Sequence, residues 1–137
     1  MTVYETLNRP EAVAREIERK RTRIEALRRM AGRFAPTLSD VRVQTTPDPS
    51  RMQEFLADAA DEEAEVALLE EEQSRALAEA AKLIADLPDE KMLRIMELRY
   101  LDRKPWEEIT DELDLSPSQA FRLHKKAMEI MRVKSEK

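Results

Sequence analysis

The sequence contains no cysteine, a single glycine and a single histidine, His124. Without cysteine, the chain can form no disulfide, no thiolate zinc site and no cysteine nucleophile. One histidine excludes sites that need two, and one glycine leaves no glycine-rich phosphate loop. We therefore expect no enzymatic activity, no cofactor and no metal.

Long apolar runs are also missing. The first ten residues, MTVYETLNRP, lack the apolar core of a signal peptide, and no stretch approaches the roughly 20 apolar residues that span a bilayer. We expect a soluble, cytoplasmic protein without a membrane partner.

Charged residues, by contrast, make up 39% of the 137 residues. The wealth of Ala, Glu, Leu and Arg, together with the scarcity of glycine, favours helices over strands. We predict an all-α protein in which an N-terminal, long antiparallel helical hairpin of coiled-coil type precedes a C-terminal helix-turn-helix domain. Because Pro88 disfavours helical geometry at Leu87, we place the domain boundary there, with domains of residues 1–87 and 88–137.

Two long helices are predicted in the N-terminal region, over residues 10–31 and 51–87. Their apolar stripes recur every three or four positions; they comprise Val13, Ile17, Ile24, Leu27 and Ala31 in the first helix, and Leu56, Ala59, Val66, Leu69, Leu77, Ala80, Ile84 and Leu87 in the second. Residues 35–50 hold three prolines and are predicted to form a loop, read as a linker or as a polymerase-binding or DNA-binding arm.

The second helix is predicted to be about 20 Å longer than the first, at ~1.5 Å per residue. Its apolar far end, which includes Ile84, requires cover from the C-terminal domain or from a second copy of the chain. We predict a homodimer through these helices, because paired readers suit a symmetric DNA site.

Charge is segregated along the chain. Residues 9–33 hold nine basic and four acidic residues, residues 51–90 hold three and thirteen, and residues 115–137 hold six and two. We expect the first two segments to attract each other, leaving the third free to meet phosphates. The glutamates of residues 62–72 are read as a solvated or ion-paired face, with a metal site, DNA mimicry or a polymerase contact as alternatives.

Three shorter helices are predicted at the C-terminus, over residues 89–101, from Pro105 to about residue 114, and from Pro117 to about residue 131. Proline suits a first helical position, and Ser116 can cap the last helix. The last helix has an apolar face of Ala120, Leu123, Ala127 and Ile130 and an opposite face that is polar and basic.

This division of faces is typical of a helix that reads a major groove, and also of an ordinary amphipathic helical pair. In the DNA-binding interpretation, Ser118, Gln119 and Arg122 contact bases. Phosphates are contacted by Arg103, Lys104, Lys125 and Lys126. Ser116 is counted among the DNA-binding candidates. Trp106 is read as core, and His124 as a packed or hydrogen-bonded residue with phosphate contact as the alternative.

Residues 87–131 resemble the C-terminal DNA-binding domain of bacterial sigma factors. The resemblance is carried by Leu87-Pro88, LRYL at 98–101, WEEI at 106–109 and Asp114-Leu115-Ser116. The segment is also similar to phage and prophage regulators of the ArpU and RinA type, through WEEI, Arg122-Leu123-His124 and Lys126-Ala127. Residues 24–40 resemble an uncharacterised branch of those proteins.

The resemblance implies a phage-type transcription regulator that binds double-stranded DNA, activates late genes and contacts RNA polymerase. Two alternatives stay open: a small terminase-like DNA-packaging subunit, and a polymerase-interaction protein that does not bind DNA.

Overall fold

The computed structural model describes residues 1–36 and 47–136, and within these ranges helices joined by short turns are the only regular secondary structure. This confirms the all-α prediction. The five α-helices are α1 (Val3–Arg33), α2 (Pro49–Ala85), α3 (Glu90–Met96), α4 (Trp106–Leu113) and α5 (Pro117–Ser135), and a π-helical turn, Glu97–Leu101, follows α3. None of the described helices is long and apolar enough to cross a membrane.

Helix α1 begins seven residues earlier than predicted, so the predicted start at Pro10 is wrong. The Thr2 hydroxyl accepts a hydrogen bond from the Glu5 amide at 3.1 Å, which caps the first turn. Pro10 lies inside the helix, where it lacks the N–H that would reach the Thr6 carbonyl. Its ring is fully buried, and this packing offsets the lost hydrogen bond.

The described chain divides into two compact units. Unit 1 comprises residues 1–14 and 72–137, and unit 2 comprises residues 15–71. Both long helices contribute to both units. The predicted domains, residues 1–87 and 88–137, stay a prediction.

Unit 1 has a continuous apolar core of twelve buried residues. They are Val3, Leu7, Ala80, Ile84, Leu87, Met92, Ile95, Met96, Leu98, Ile109, Ala127 and Met131. The far end of α2 is thus covered by the C-terminal helices of its own chain, which was one of the two predicted forms of cover.

The predicted helix of residues 89–101 is interrupted within its length. Asp89 caps α3 by accepting a hydrogen bond from the Lys91 amide at 2.8 Å. After Met96 the backbone widens into the π-helical turn, in which the Asp102 amide donates to the Glu97 carbonyl at 3.0 Å. A π turn is a feature of the hydrogen-bond ladder that apolar periodicity does not reveal.

Unit 2 consists of parts of α1 and α2 joined by a narrow apolar seam and by ion pairs. The buried side chains of the seam are Ile17, Ile24, Leu27, Ala31, Ala59 and Val66. Lys20 pairs with Glu62 at 3.2 Å and with Glu65 at 2.5 Å. Further pairs join Arg21 to Glu70, Arg23 to Glu62 and Arg28 to Glu63. The expected attraction between the basic and acidic segments is confirmed here.

Leu56 was predicted to belong to the apolar stripe of the second helix, but its side chain is exposed (44%). Nearby, Phe34 and Phe55 stack at 5.9 Å, and the Arg51 guanidinium lies over the Phe34 ring. Asp48 caps α2 by accepting from the Arg51 amide at 3.1 Å. Most of the predicted loop of residues 35–50, and hence its predicted role as an arm, lies outside the described residues.

Candidate nucleic-acid interface

A short turn joins α4 to α5 and is closed by backbone hydrogen bonds. Pro105, in an extended conformation, precedes α4, and Asp114 ends the helix in the left-handed conformation (φ 53°, ψ 51°). The Leu115 amide then donates to the Thr110 carbonyl at 3.0 Å. The turn therefore fixes the direction in which α5 leaves.

The start of α5 is held by a reciprocal cap. The Gln119 amide donates to the Ser116 hydroxyl at 3.1 Å, and the Ser116 amide donates to the Gln119 side-chain oxygen at 2.9 Å. Pro117 occupies a first-turn position. The predicted cap at Ser116 is confirmed, and its partner Gln119 completes a capping box.

One face of α5 packs into unit 1. Ala120, Ala127 and Met131 are buried, with Leu123 and Ile130 half-buried beside them. Ala120 is 2% exposed, so a small side chain is needed at that point of the helix. The predicted apolar face is confirmed.

The opposite face of α5 is open to solvent. Ser118, Gln119, Arg122, Lys125 and Lys126 are all exposed. Among the residues that the structure describes, no carboxylate pairs with the last three. The face therefore carries three cations whose charge is not neutralised by a neighbour.

Further along α5, Arg132 is ion-paired and Lys134 is hydrogen-bonded. Arg132 pairs with Glu129 at 2.6 Å and with Glu136 at 2.9 Å, and its hydrogen bond lowers the pKa of Glu129. Lys134 donates to the Asp86 carbonyl at 2.7 Å. The open basic surface is thus confined to the middle of the helix.

Two further predicted phosphate contacts lie before α4. Arg103 is exposed and has a positive φ of 57°. Lys104 is half-buried; its amide donates to the Leu98 carbonyl at 2.9 Å, its carbonyl accepts from Arg99 at 3.1 Å, and its ammonium group lies 3.5 Å from a Glu112 oxygen. Arg103 is the more available of the two.

A cluster of aromatic side chains ties the π-helical turn to α4 and α5. The Tyr100 hydroxyl and His124 Nε2 share a 2.7 Å hydrogen bond, and the His124 and Trp106 rings meet edge to face at 5.2 Å. The Arg99 guanidinium lies over the Trp106 ring at 5.3 Å. Both Trp106 and His124 thus take the packed positions that the sequence analysis favoured.

The cluster also sets the protonation of its members. Burial lowers the pKa of His124, and the nearby positive charge of Arg99 lowers it further. Burial likewise raises the pKa of Tyr100. His124 is therefore held in its neutral form and does not supply a cation for phosphate.

Carboxylates occupy the surface of α4. Glu107, Glu108, Asp111 and Glu112 are exposed, so α4 would repel a phosphate backbone. Two of these carboxylates belong to the WEEI motif, and their charge does not enter the prediction of DNA binding from the sequence. It limits the candidate interface to α5 and the residues just before α4.

Phe121, which is 66% exposed on α5, is not among the DNA-binding residues predicted from the sequence. Its ring borders a shallow groove of about 410 Å³ between α4 and α5, lined by Trp106, Glu107, Thr110, Pro117, Ala120, Phe121 and His124. The signal was available, since Phe121 follows the buried Ala120 directly and so falls off the apolar stripe.

The chain matches no protein-family model, no curated protein and no solved structure. In the part of the chain that the structure describes, no group of histidine, aspartate and glutamate residues is arranged to hold a metal ion. The glutamates of residues 62–72, for which a metal site was an alternative, instead pair with cations of α1 at four positions: Glu62, Glu65, Glu70 and Glu72.

Proposed function

We propose that this protein is a sequence-specific DNA-binding transcription regulator, of the phage type with a sigma-like helix-turn-helix, that performs no chemistry and acts in the cytoplasm. In this proposal α4, its turn and α5 are the helix-turn-helix, and α5 enters the major groove. The observation that carries it is the exposed, unneutralised basic face of a helix whose opposite face is buried and whose start is capped.

The proposed division of labour follows the geometry. Ser118 and Arg122 read base edges, because both are exposed near the start of α5. Gln119 has already used its side-chain oxygen in the cap, so only its amide nitrogen is left for a base. Lys125 and Lys126 contact phosphates, helped by Arg103 and, less strongly, by Lys104.

The paired segments of α1 and α2 are proposed to form an antiparallel helical hairpin that supports partner binding. Ion pairs between the two helices neutralise much of the acidity of α2. A net charge of −5 therefore does not prevent a local basic surface from meeting DNA. The homodimer has less support, because the apolar end of α2 that prompted it is buried within unit 1.

The first experiment selects binding sites for the full chain from random double-stranded DNA. Arg122→Ala is then expected to weaken binding to the selected site by ~1–3 kcal/mol relative to a scrambled site, as for the loss of a bidentate contact to guanine. Arg75→Ala, which removes an exposed arginine of α2, is the matched control and should bind as the unaltered chain does. Selection of no sequence, or unchanged discrimination by Arg122→Ala, contradicts the proposal.

Salt dependence tests the phosphate contacts separately. Lys125→Ala should weaken all sequences alike and reduce the slope of log affinity against log salt by about one unit. Lys91→Ala, an exposed lysine of α3, should leave the slope unchanged. Equal slopes for both variants and the unaltered chain would remove Lys125 from the interface.

A second candidate function is a protein that contacts RNA polymerase without binding DNA. It is favoured by exposed carboxylates of α2 that have no ion-pair partner among the described residues, namely Glu54, Asp58, Asp61 and Glu71. Such a surface suits a basic partner. Retention of polymerase on the immobilised chain, with no protection of any DNA sequence from cleavage, would select this function.

A further inference from the structure

Phe121 is the most exposed of the large apolar side chains of α5, followed by Val133 near the end of the helix at 42%. Leu123, Met128, Ile130 and Met131 are buried or half-buried, whereas Phe121 is 66% exposed. The ring borders the groove between α4 and α5, which covers only about a third of it, and phenylalanine is not among the strong helix formers. Packing within the folded chain therefore uses only a small part of this side chain.

The position of Phe121 on α5 places it among the proposed DNA contacts. It lies three residues after Ser118 and four before Lys125, so the three side chains share one face of the helix. Arg122 follows it directly and is also exposed. The ring thus shares its face of the helix with one hydroxyl and one cation, and a second cation is next to it along the chain.

The surroundings of the ring favour nucleic acid over an apolar protein segment. A protein-docking patch usually needs several adjoining exposed apolar residues. The other large hydrophobic residues exposed in the described chain are scattered: Met1, Tyr4, Met30, Leu56, Leu68 and Val133. Towards α4 the ring borders the groove that contains Trp106 and the carboxylate of Glu107. Along α5 its exposed neighbours are the cations Arg122 and Lys125, which complement a phosphate backbone.

We infer that Phe121 contacts the 5-methyl group of a thymine in the major groove and so contributes one position of sequence preference. The inference rests on the proposed function. Among base edges in the major groove, the thymine methyl is the apolar feature that a phenylalanine can recognise. Ser118 and Arg122 then supply the polar contacts to neighbouring bases.

The test replaces each thymine of the selected site in turn with deoxyuridine, which removes the methyl group and keeps the base pair. For the unaltered chain, one such replacement should weaken binding about fourfold, the worth of one buried methyl group. Phe121→Ala should bind the thymine site more weakly and should lose nothing further with deoxyuridine at that position. The methyl group and the ring would then act as one contact.

Two variants separate this contact from a general effect. Phe121→Leu keeps an apolar side chain and should retain part of the sensitivity to the methyl group. Arg122→Ala should lose its preference at a different base while remaining sensitive to deoxyuridine. Since Phe121 is mostly exposed, the thermal unfolding of Phe121→Ala should match that of the unaltered chain.

Three results would overturn the inference while leaving the proposed function intact. One is a selected site without thymine. A second is a Phe121→Ala variant that keeps the full deoxyuridine effect, and a third is an unaltered chain that shows none. Failure of the chain to select any DNA would instead overturn the inference and the proposed function together.

Discussion

Units 1 and 2 share the two long helices, and unit 1 adds the three shorter ones; the two units are stabilised differently. Unit 1 holds fifteen buried apolar residues, and twelve of them form one core drawn from all the described helices. Unit 2 has only six buried apolar residues, and ion pairs such as Lys20–Glu62 and Arg28–Glu63 flank them. A packed apolar core stabilises unit 1, whereas unit 2 combines a smaller apolar seam with ion pairs between its two helices.

The comparison bears on function because α5 belongs to unit 1. A helix that reads DNA must hold its side chains in a defined orientation, which a packed core provides and exposed ion pairs do not. The comparison is also measurable. Trp106, the only tryptophan, lies in unit 1, so its fluorescence reports that unit, while far-ultraviolet circular dichroism reports the helices of both.

The largest effect is expected from Ile109→Ala. Ile109 is fully buried in the core of unit 1, and its truncation leaves a cavity among several helices. The free energy of unfolding should fall by about 2–5 kcal/mol in urea titrations followed by Trp106 fluorescence.

Two controls sharpen this result. Val133→Ala, on an exposed part of α5, should change stability by less than about 0.5 kcal/mol. Ile24→Ala, in the two-helix seam of unit 2, should cost less than Ile109→Ala when both variants are followed by far-ultraviolet circular dichroism, because a narrow seam can close around a lost side chain. An equal cost at both positions would contradict the distinction between the two units.

A smaller effect is expected from Ser116→Ala, which removes one half of the reciprocal cap of α5. The expected loss is about 1 kcal/mol in the same fluorescence titration. Ser118→Ala, two residues on and outside the cap, is the matched control and should leave stability unchanged while weakening binding to the selected DNA site. Equal losses from the two variants would argue against the cap as a stabilising feature.

A still smaller effect is expected from Glu62→Gln in unit 2. Glu62 pairs with both Lys20 and Arg23, and such partly exposed pairs are weak and screened by salt. The loss of helix stability, followed by circular dichroism, should be clear at low salt. It should vanish in 1 M sodium chloride, where charges are screened over about 3 Å. Glu71→Gln, at an exposed glutamate, should have no effect at either salt concentration.

The sequence predicted the elements that depend on local chemistry. Four of the five described helix starts lie within two residues of the predicted positions, and those of α4 and α5 were predicted from Pro105, Pro117 and the Ser116 cap. The apolar face of α5 follows from its spacing. The predicted start at Pro10 was wrong, because the buried Pro10 ring lies inside a helix that begins at Val3.

Other features depend on packing between distant residues, which periodicity does not encode. The cover over Ile84 comes from helices that follow it in sequence, and the contact between Tyr100 and His124 joins residues 24 positions apart. At the candidate site, the exposure of Arg122, Lys125 and Lys126 was predicted from the stripe. The hydrogen bond from the Ser116 amide to the Gln119 side-chain oxygen was not predicted, and only the atomic positions reveal it.

The smallest effect is expected from pH, and it again separates the units. Because burial lowers the pKa of His124 below its ordinary value of about 6.5, the unfolded chain takes up a proton first as the pH falls. The contribution of neutral His124 to the stability of unit 1 is therefore fully present above about pH 6.5. It declines as the pH falls from there toward the pKa of the folded state. The slope of the unfolding free energy against pH corresponds to the uptake of at most one proton on unfolding. Unit 2 contains no histidine and lacks this contribution. The His124→Gln side chain cannot titrate, so this variant should show a flatter decline of the unfolding free energy between about pH 7.5 and 5.5, measured by Trp106 fluorescence. Equal slopes for the variant and the unaltered chain would show that the aromatic cluster does not hold His124 neutral.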